Sequence, residues 1–282
     1  MTKRIIAVAV SAVAALSFAA LTTPAQALTG DGAPATPCDD GAAWTWTVSN
    51  PARYGANPHE VVIGLSEATR TVTIHAPAGC AFNTGDRWQV YSGKAGFSAS
   101  GSISASEDGD TEDSDSVAFE VPDSNTIAGD EIGVRLRVSD PTTAGWEVDK
   151  SSSVPTITLL RRSELKYKST PNRINFAEPY QADQPVRSGG DLIRASWSSK
   201  SYVGYSGRPV DIQTRDDVAG SAYGTVQEVT TGTGGAVRSS FVVSDPGAPN
   251  PGDTFIARAK YDGNGTTSAN VSTGDRVAPA TP

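Results

Sequence analysis

Six carboxylates fall within nine residues at Glu107-Asp108-Gly109-Asp110-Thr111-Glu112-Asp113-Ser114-Asp115. Hard cations gather about six to eight oxygen ligands, so Asp108, Asp110, Glu112, Asp113 and Asp115 are the calcium candidates of this chain. The spacing departs from a helix–loop–helix calcium loop: glycine falls one residue after Asp108, and no Glu stands at the twelfth position. The plainer and favoured reading is a solvated hairpin loop that follows the Ser/Gly-rich stretch Ser98 to Ser106. A second oxygen-rich segment, Asp262-Gly263-Asn264-Gly265, reads as an ordinary tight turn. No resident metal or cofactor is expected.

Acid–base and nucleophilic chemistry finds little support. His59 and His75 are the only histidines. Gly204-Tyr205-Ser206-Gly207-Arg208 lacks the last glycine of a nucleophile elbow, and His59-Glu60 is followed by Val61-Val62-Ile63 rather than a second zinc-binding histidine. A triad needs a histidine between nucleophile and acid, and neither histidine has such neighbours along the chain. Carboxylate pairs for glycoside hydrolysis meet only in space, so the 31 acids of the sequence carry no information on that point. The expectation is a non-enzyme with no catalytic residue.

The aromatics offer a second kind of chemistry, stacking on a sugar ring or anchoring a protein partner. Trp44 and Trp46 share one face of an alternating segment and read as core. Trp146, beside a glycine in the polar turn Thr142-Thr143-Ala144-Gly145-Trp146-Glu147, is the leading ligand-facing candidate, with Tyr202 and Tyr205 as its companions.

The elements that must position these residues begin outside the cytoplasm. Lys3-Arg4, an apolar run of 17 residues from Ile5 to Leu21, and a small-residue site ending at Ala27 are the three parts of a cleaved signal peptide, residues 1–27. The run is shorter and richer in alanine than a spanning helix. The mature chain is therefore expected to be secreted, with no membrane insertion after cleavage. Cys38 and Cys80 are its only cysteines. An even count in an exported chain favours one disulfide; two thiolate metal ligands are the alternative, and would need histidine help.

Charge divides the mature chain. Residues 28–160 hold 7 Lys+Arg against 19 Asp+Glu, a net −12, whereas residues 161–282 hold 14 against 12, a net +2. An acidic export product without clustered basic residues is unsuited to nucleic acid or an anionic membrane. The shift in sign near residue 160 marks a domain boundary.

Strand signals recur on both sides of that boundary: residues 43–48, 59–65, 69–75, 87–91, 117–121, 131–138 and 154–160, then 191–197, 209–215, 224–230, 236–243, 254–261 and 268–271. Val72 and Ile74 alternate with Thr71, Thr73 and His75, and Val210, Ile212 and Thr214 alternate with Asp211, Gln213 and Arg215, the period of half-buried strands. Gly232-Thr233-Gly234-Gly235 predicts a hairpin turn.

Three segments carry a resemblance: Tyr202-Val203-Gly204-Tyr205-Ser206-Gly207-Arg208-Pro209-Val210-Asp211-Ile212-Gln213-Thr214-Arg215, then Val229-Thr230-Thr231-Gly232 onward to Phe241, then Phe255-Ile256-Ala257-Arg258-Ala259-Lys260-Tyr261-Asp262-Gly263-Asn264-Gly265. Together they resemble the immunoglobulin-like modules of secreted actinobacterial proteins over about residues 165–275. The resemblance implies a fold and a lineage, with no substrate and no functional residues. The expected organisation is a signal peptide (1–27), a flexible leader (28–37), an acidic sandwich with one disulfide (38–162) and a second sandwich (163–282). The fold class is all-β, two tandem immunoglobulin-like antiparallel β-sandwiches. The expected function is binding or adhesion, with an extracellular protein as partner; a carbohydrate-binding protein and a secreted protease inhibitor are the alternatives.

Overall fold

The computed structural model describes residues 44–54, 57–77, 79–92, 97–132, 135–139, 156–181, 183–243 and 253–280. The signal peptide, the leader, Cys38 and Trp146 lie outside the described residues, and no described cysteine is free.

Strands dominate, as the short alternating segments require, and no α-helix occurs among the described residues. The first half supplies β1 (Thr45–Val48), β2 (Glu60–Ile63), β3 (Ala68–His75), β4 (Arg87–Ser92), β5 (Phe97–Ser102), β6 (Glu112–Phe119), β7 (Glu131–Ile132), β8 (Arg135–Ser139) and β9 (Ile157–Arg161). They form three ladders, ordered β1-β3-β6, β2-β9-β7 and β5-β4-β8. Inward residues of all three meet in one core around Trp46, Val72, Ile74, Trp88 and Phe119. Trp44 and Trp46 are 5% and 0% exposed, in accord with their shared face on β1.

The second half supplies β10 (Ser163–Tyr167), β11 (Thr170–Pro171), β12 (Asn175–Phe176), β13 (Pro185–Ser196), β14 (Ser201–Gly204), β15 (Pro209–Asp216), β16 (Gly224–Thr230), β17 (Ala236–Val242), β18 (Phe255–Tyr261), β19 (Asn270–Val271) and β20 (Asp275–Val277). The long β13 pairs with β10 and β12 and with β14 and β17, while β15 and β18 lead the opposing sheet with β16, β19 and β20. Between them lies a second core around Leu192, Ile212, Val237, Phe255 and Tyr261. Phe255, Ala257, Ala259 and Tyr261 point inward at every second position of β18, the alternation that a sheet with one wet face imposes.

The all-β class is what the chain adopts, with three departures from expectation. One pairing is parallel: β2 lies beside β9, with Glu60 opposite Thr158 and Ile63 opposite Arg161. The glycine turn at 232–235 is not a hairpin, because β16 pairs with β15 whereas β17 pairs with β13. Positive φ at Gly234 (70°) and Gly235 (84°) lets the chain arch from one sheet to the other within a few residues. Finally, β6 starts at Glu112, so half of the acidic run is strand. Eight residues of β3 pair with it, and its outer side faces water, where carboxylates cost nothing.

The two halves meet without a spacer. Only Arg162 separates β9 from β10, and its neighbours are hydrogen-bonded on both sides: Arg162 N donates to Ile63 O (2.9 Å), Ala195 N to Arg162 O (2.9 Å) and Ser268 N to Arg161 O (3.0 Å). Ala195 and Trp197, from the turn side of β13, are counted in the first core rather than the second.

Candidate functional site

One end of the first half collects its loops. β3 runs out at His75, and β4 begins at Arg87 opposite Ser139, the last residue of β8. Segments 76–86 and 103–111 are laced together there by Phe82 N to Asp110 O, Gly109 N to Phe82 O and Gly85 N to Ile103 O, each 2.8 Å. Phe82, fully buried, plugs the lacing from beneath and meets Trp44 at 5.1 Å between ring centroids. Backbone pairing between two loops gives this end a fixed shape.

The acidic run does not converge on a centre. Asp108 Oδ1 accepts from Thr84 N at 2.8 Å, and Glu107 Oε2 accepts from Ser104 N and Oγ at 2.6 Å. Those Ser104 hydrogen bonds hold the Glu107 carboxyl below its ordinary value. Asp113 turns inward to accept the indole N–H of the buried Trp88, and Gly101, opposite Trp88 on β5, leaves no room for a Cβ beside that bond. Asp115 Oδ1 accepts from the neighbouring Ser116 N at 2.7 Å. Among the described residues no three His, Cys, Asp or Glu side chains gather as a metal site, and the calcium candidates divide between the loop (Asp108, Asp110) and β6 (Glu112, Asp113, Asp115).

Strand register makes a line that the sequence hid. Thr47 Oγ1 meets His75 Nε2 at 3.2 Å, and His75 Nδ1 meets Glu112 Oε1 at 3.1 Å. Hydroxyl, imidazole and carboxylate therefore stand in the order of a triad. The line lies across a flat outer face, with the His75 and Glu112 side chains 29% and 65% exposed. It reads as a cross-strand polar ladder. His59 sits elsewhere, edge-on to Trp46 at 5.6 Å, with its Nδ1 buried and unpartnered and burial holding its pKa down.

On the same half, a shallow groove of about 260 Å³ is lined by Ser49, Asn50, Arg70, Thr71 and Ser116 among others. Each nitrogen of its cation has a partner: Arg70 donates to Asn50 Oδ1 (3.1 Å), Thr69 O (2.8 Å) and Val62 O (2.6 Å).

The tyrosine candidates are not a stacking platform. Tyr205 is 3% exposed, a correction to its expected ligand-facing role; it packs in the second core, and its hydroxyl accepts from Asn264 Nδ2 at 2.6 Å. Tyr202 is half-buried against the first core. Its pairing partner Ala195 is one of the residues that reach across the junction. Val203 and Val218 are the exposed large hydrophobics among the described residues, at 36% and 63%.

Val218 crowns the β15–β16 connection. Arg215 Nη1 donates to Asp216 O (3.2 Å) and Val218 O (2.9 Å), Arg276 Nε to Asp217 Oδ2 (2.7 Å), and Arg258 stacks on Tyr223 at 3.6 Å. Three arginines thus brace a protruding loop whose tip is apolar.

No family profile and no curated relative matches the sequence. Among solved structures, the chain is similar to the D0-D1 domain of intimin (TM-score 0.26, 10% identity, covering 84% of this chain and 97% of that one). It is also similar to trypsin-activated alpha-2-macroglobulin from Escherichia coli (TM-score 0.26, 10% identity, covering 85% of this chain and 16% of that one) and to CBD12 from CALX1.2 (TM-score 0.24, 11% identity, covering 77% and 81%). At these TM-scores the likeness carries no functional argument; the fold rests on this chain's own strand pairing. No helix among the described residues is long and apolar enough to cross a membrane.

Proposed function

We propose that the mature chain is a secreted, non-enzymatic binding or adhesion-type protein of the actinobacterial immunoglobulin-like kind, with an extracellular protein as its partner. The observation that carries this reading is the loop end of the first half, where segments 76–86 and 103–111 are fixed to each other by backbone hydrogen bonds. Loops held on a rigid sandwich frame are the usual place for recognition in this architecture. A disulfide between Cys38 and Cys80 would tie down the same end, since Cys80 lies in the first of these loops. Asp108 and Asp110 give the loops a negative tip, which suits a basic partner surface.

The test uses residues 28–282 as bait for extracellular proteins, beside a variant with Asp108→Asn and Asp110→Asn. A protein retained by the wild type and released by the variant supports the reading. A protein retained equally by both places recognition elsewhere and overturns it.

The inhibitor alternative has one observation in its favour, the braced loop carrying Val218. The Val218 carbonyl, however, already accepts from Arg215 and from Ser221 N (3.2 Å), so it is not offered to a protease as a scissile carbonyl. The carbohydrate alternative loses Tyr205 to the core, while Tyr202 is half-buried.

A further inference from the structure

We propose that the guanidinium groups of Arg161, Arg194 and Arg208, gathered around Tyr205 at the seam between the two halves, bind a tetrahedral oxyanion of the phosphate or sulfate class. The three come from different elements: Arg161 ends β9, Arg194 lies in β13 opposite Ser163 of β10, and Arg208 leads into β15. The guanidinium carbons of Arg194 and Arg208 lie 3.9 and 4.5 Å from the centroid of the one Tyr205 ring. Tyr205 in turn meets Tyr261 edge-on at 6.0 Å, and Asn270 stands opposite Tyr261 in the β18–β19 ladder.

This neighbourhood holds a surplus of donors. Arg161 Nε, Arg194 Nε, Arg208 Nε and Asn270 Nδ2 are all buried with no hydrogen-bond partner. No ion pair reaches Arg161, Arg194 or Arg208 among the described residues; the nearby carboxylate of Glu164 is taken by Arg162 at 3.4 Å. Arg161 is itself only 8% exposed. Burial lowers its pKa, and Arg194 adds to that by repulsion, while the other groups acting on it are the Tyr205 and Tyr261 phenols. Buried polar atoms in native proteins are nearly always partnered, and a buried cation is costly unless paired. Cation–π stacking on Tyr205 offsets part of that cost but supplies no acceptor to the N–H groups. Three positive charges are best balanced by a dianion with several acceptors, which phosphate and sulfate are and a single carboxylate is not.

The arginine Nε–H resonances of the mature wild-type chain, titrated with sodium sulfate and separately with inorganic phosphate against sodium chloride at matched ionic strength, test this directly. The expected result is saturable movement of three Nε–H signals, assigned to Arg161, Arg194 and Arg208, with the exposed Arg187 unmoved. Arg194→Gln and Arg208→Gln should each weaken the apparent affinity about tenfold or more, the loss of one charge-assisted hydrogen-bond partner. If either fails to fold, the wild-type titration stands alone as the test. Sulfate and phosphate arms distinguish the two sources. Movement that tracks ionic strength equally in chloride, or equal saturation by sodium acetate, overturns the proposal and leaves the cluster as a stacking joint.

Discussion

Trp197 donates its indole N–H to the carbonyl of Ile63 at 3.3 Å, and the ring that makes this bond is fully buried in the core of the other half. Asn125 completes the joint from the first half: its Oδ1 accepts from Trp197 N (2.7 Å), and its Nδ2 donates to Ser196 Oγ (3.1 Å) and Ser198 Oγ (2.7 Å). The exposed Lys200–Asp123 pair at 3.2 Å adds little beside it. A side chain numbered with the second unit thus finishes the first.

Trp197→Ala is expected to cost about 3–5 kcal/mol, the range for emptying a fully buried tryptophan site. Trp197→Phe should cost less, keeping most of the packing while leaving the Ile63 carbonyl without its donor. Urea denaturation of the full mature chain checks both. A loss for Trp197→Ala within about 0.5 kcal/mol, the range of ordinary surface substitutions, contradicts the joint.

The segment 163–282 expressed alone should fold around its own core but melt below the same region in the full chain, because Ala195 and Trp197 lose their cover. Intrinsic tryptophan fluorescence should show Trp197, the sole tryptophan of that segment, red-shifted towards solvent. An unshifted emission maximum would place Trp197 in a pocket of its own half.

Asp113→Ala is expected to destabilise by about 1–3 kcal/mol, since it leaves the buried Trp88 indole N–H without an acceptor. Asp115→Ala, two residues along on the same face of β6 but exposed, should be neutral within about 0.5 kcal/mol. Equal effects would mean that the run acts only through its summed charge.

Intact-mass analysis of the exported protein should give a chain starting at Leu28 and two hydrogens lighter than the reduced form. Cys80→Ser should then lower stability by about 3–4 kcal/mol, the chain-entropy value for a loop of this size. Alkylation of both cysteines without prior reduction refutes the pairing.

His59 predicts a pH dependence with a definite sign. Burial lowers its pKa in the folded chain below the unfolded value of 6.5, so the unfolded chain takes up the proton first. Stability is complete above 6.5, declines as pH falls from there to the lowered folded value, and is level again beneath it as far as this group is concerned. His59→Gln should flatten that decline in melts between pH 7 and 5. Glu107 acts at lower pH: the Ser104 hydrogen bonds depress its folded pKa, so its contribution is present above the unfolded value of 4.5 and lost as pH falls through the folded one.

Strand existence was legible wherever β-branched and aromatic residues alternated. β3, β16 and β18 lie within a residue of their expected bounds, and in β3 and β18 pattern and burial agree. β5 was not legible: after Phe97 the segment Ser98–Ser102 is small and mostly polar, and it is strand by pairing with β4, with Gly101 opposite Trp88. Gln213 stands outward as expected, opposite Arg258, yet is only 8% exposed, because Arg258 covers it and donates from Nε to its Oε1 at 2.9 Å. The candidate surfaces were less legible still. Thr47, His75 and Glu112 lie on three strands, and Arg161, Arg194 and Arg208 are scattered singly among strand ends. Such groups meet only through register and the crossing at Arg162, which no local periodicity encodes.

The parallel β2–β9 pair gives the first half a distinctive response to tension applied through its chain ends. A pull towards the chain start draws β2 one way, and a pull towards the chain end draws β9 the opposite way along the same axis. The pair is therefore loaded in shear, with the four registered positions from Glu60–Thr158 to Ile63–Arg161 sharing the load, whereas a hairpin pulled at its open end unzips one rung at a time. The strand under load is also the one that passes directly into the second half, so a load applied through that half acts on this clamp.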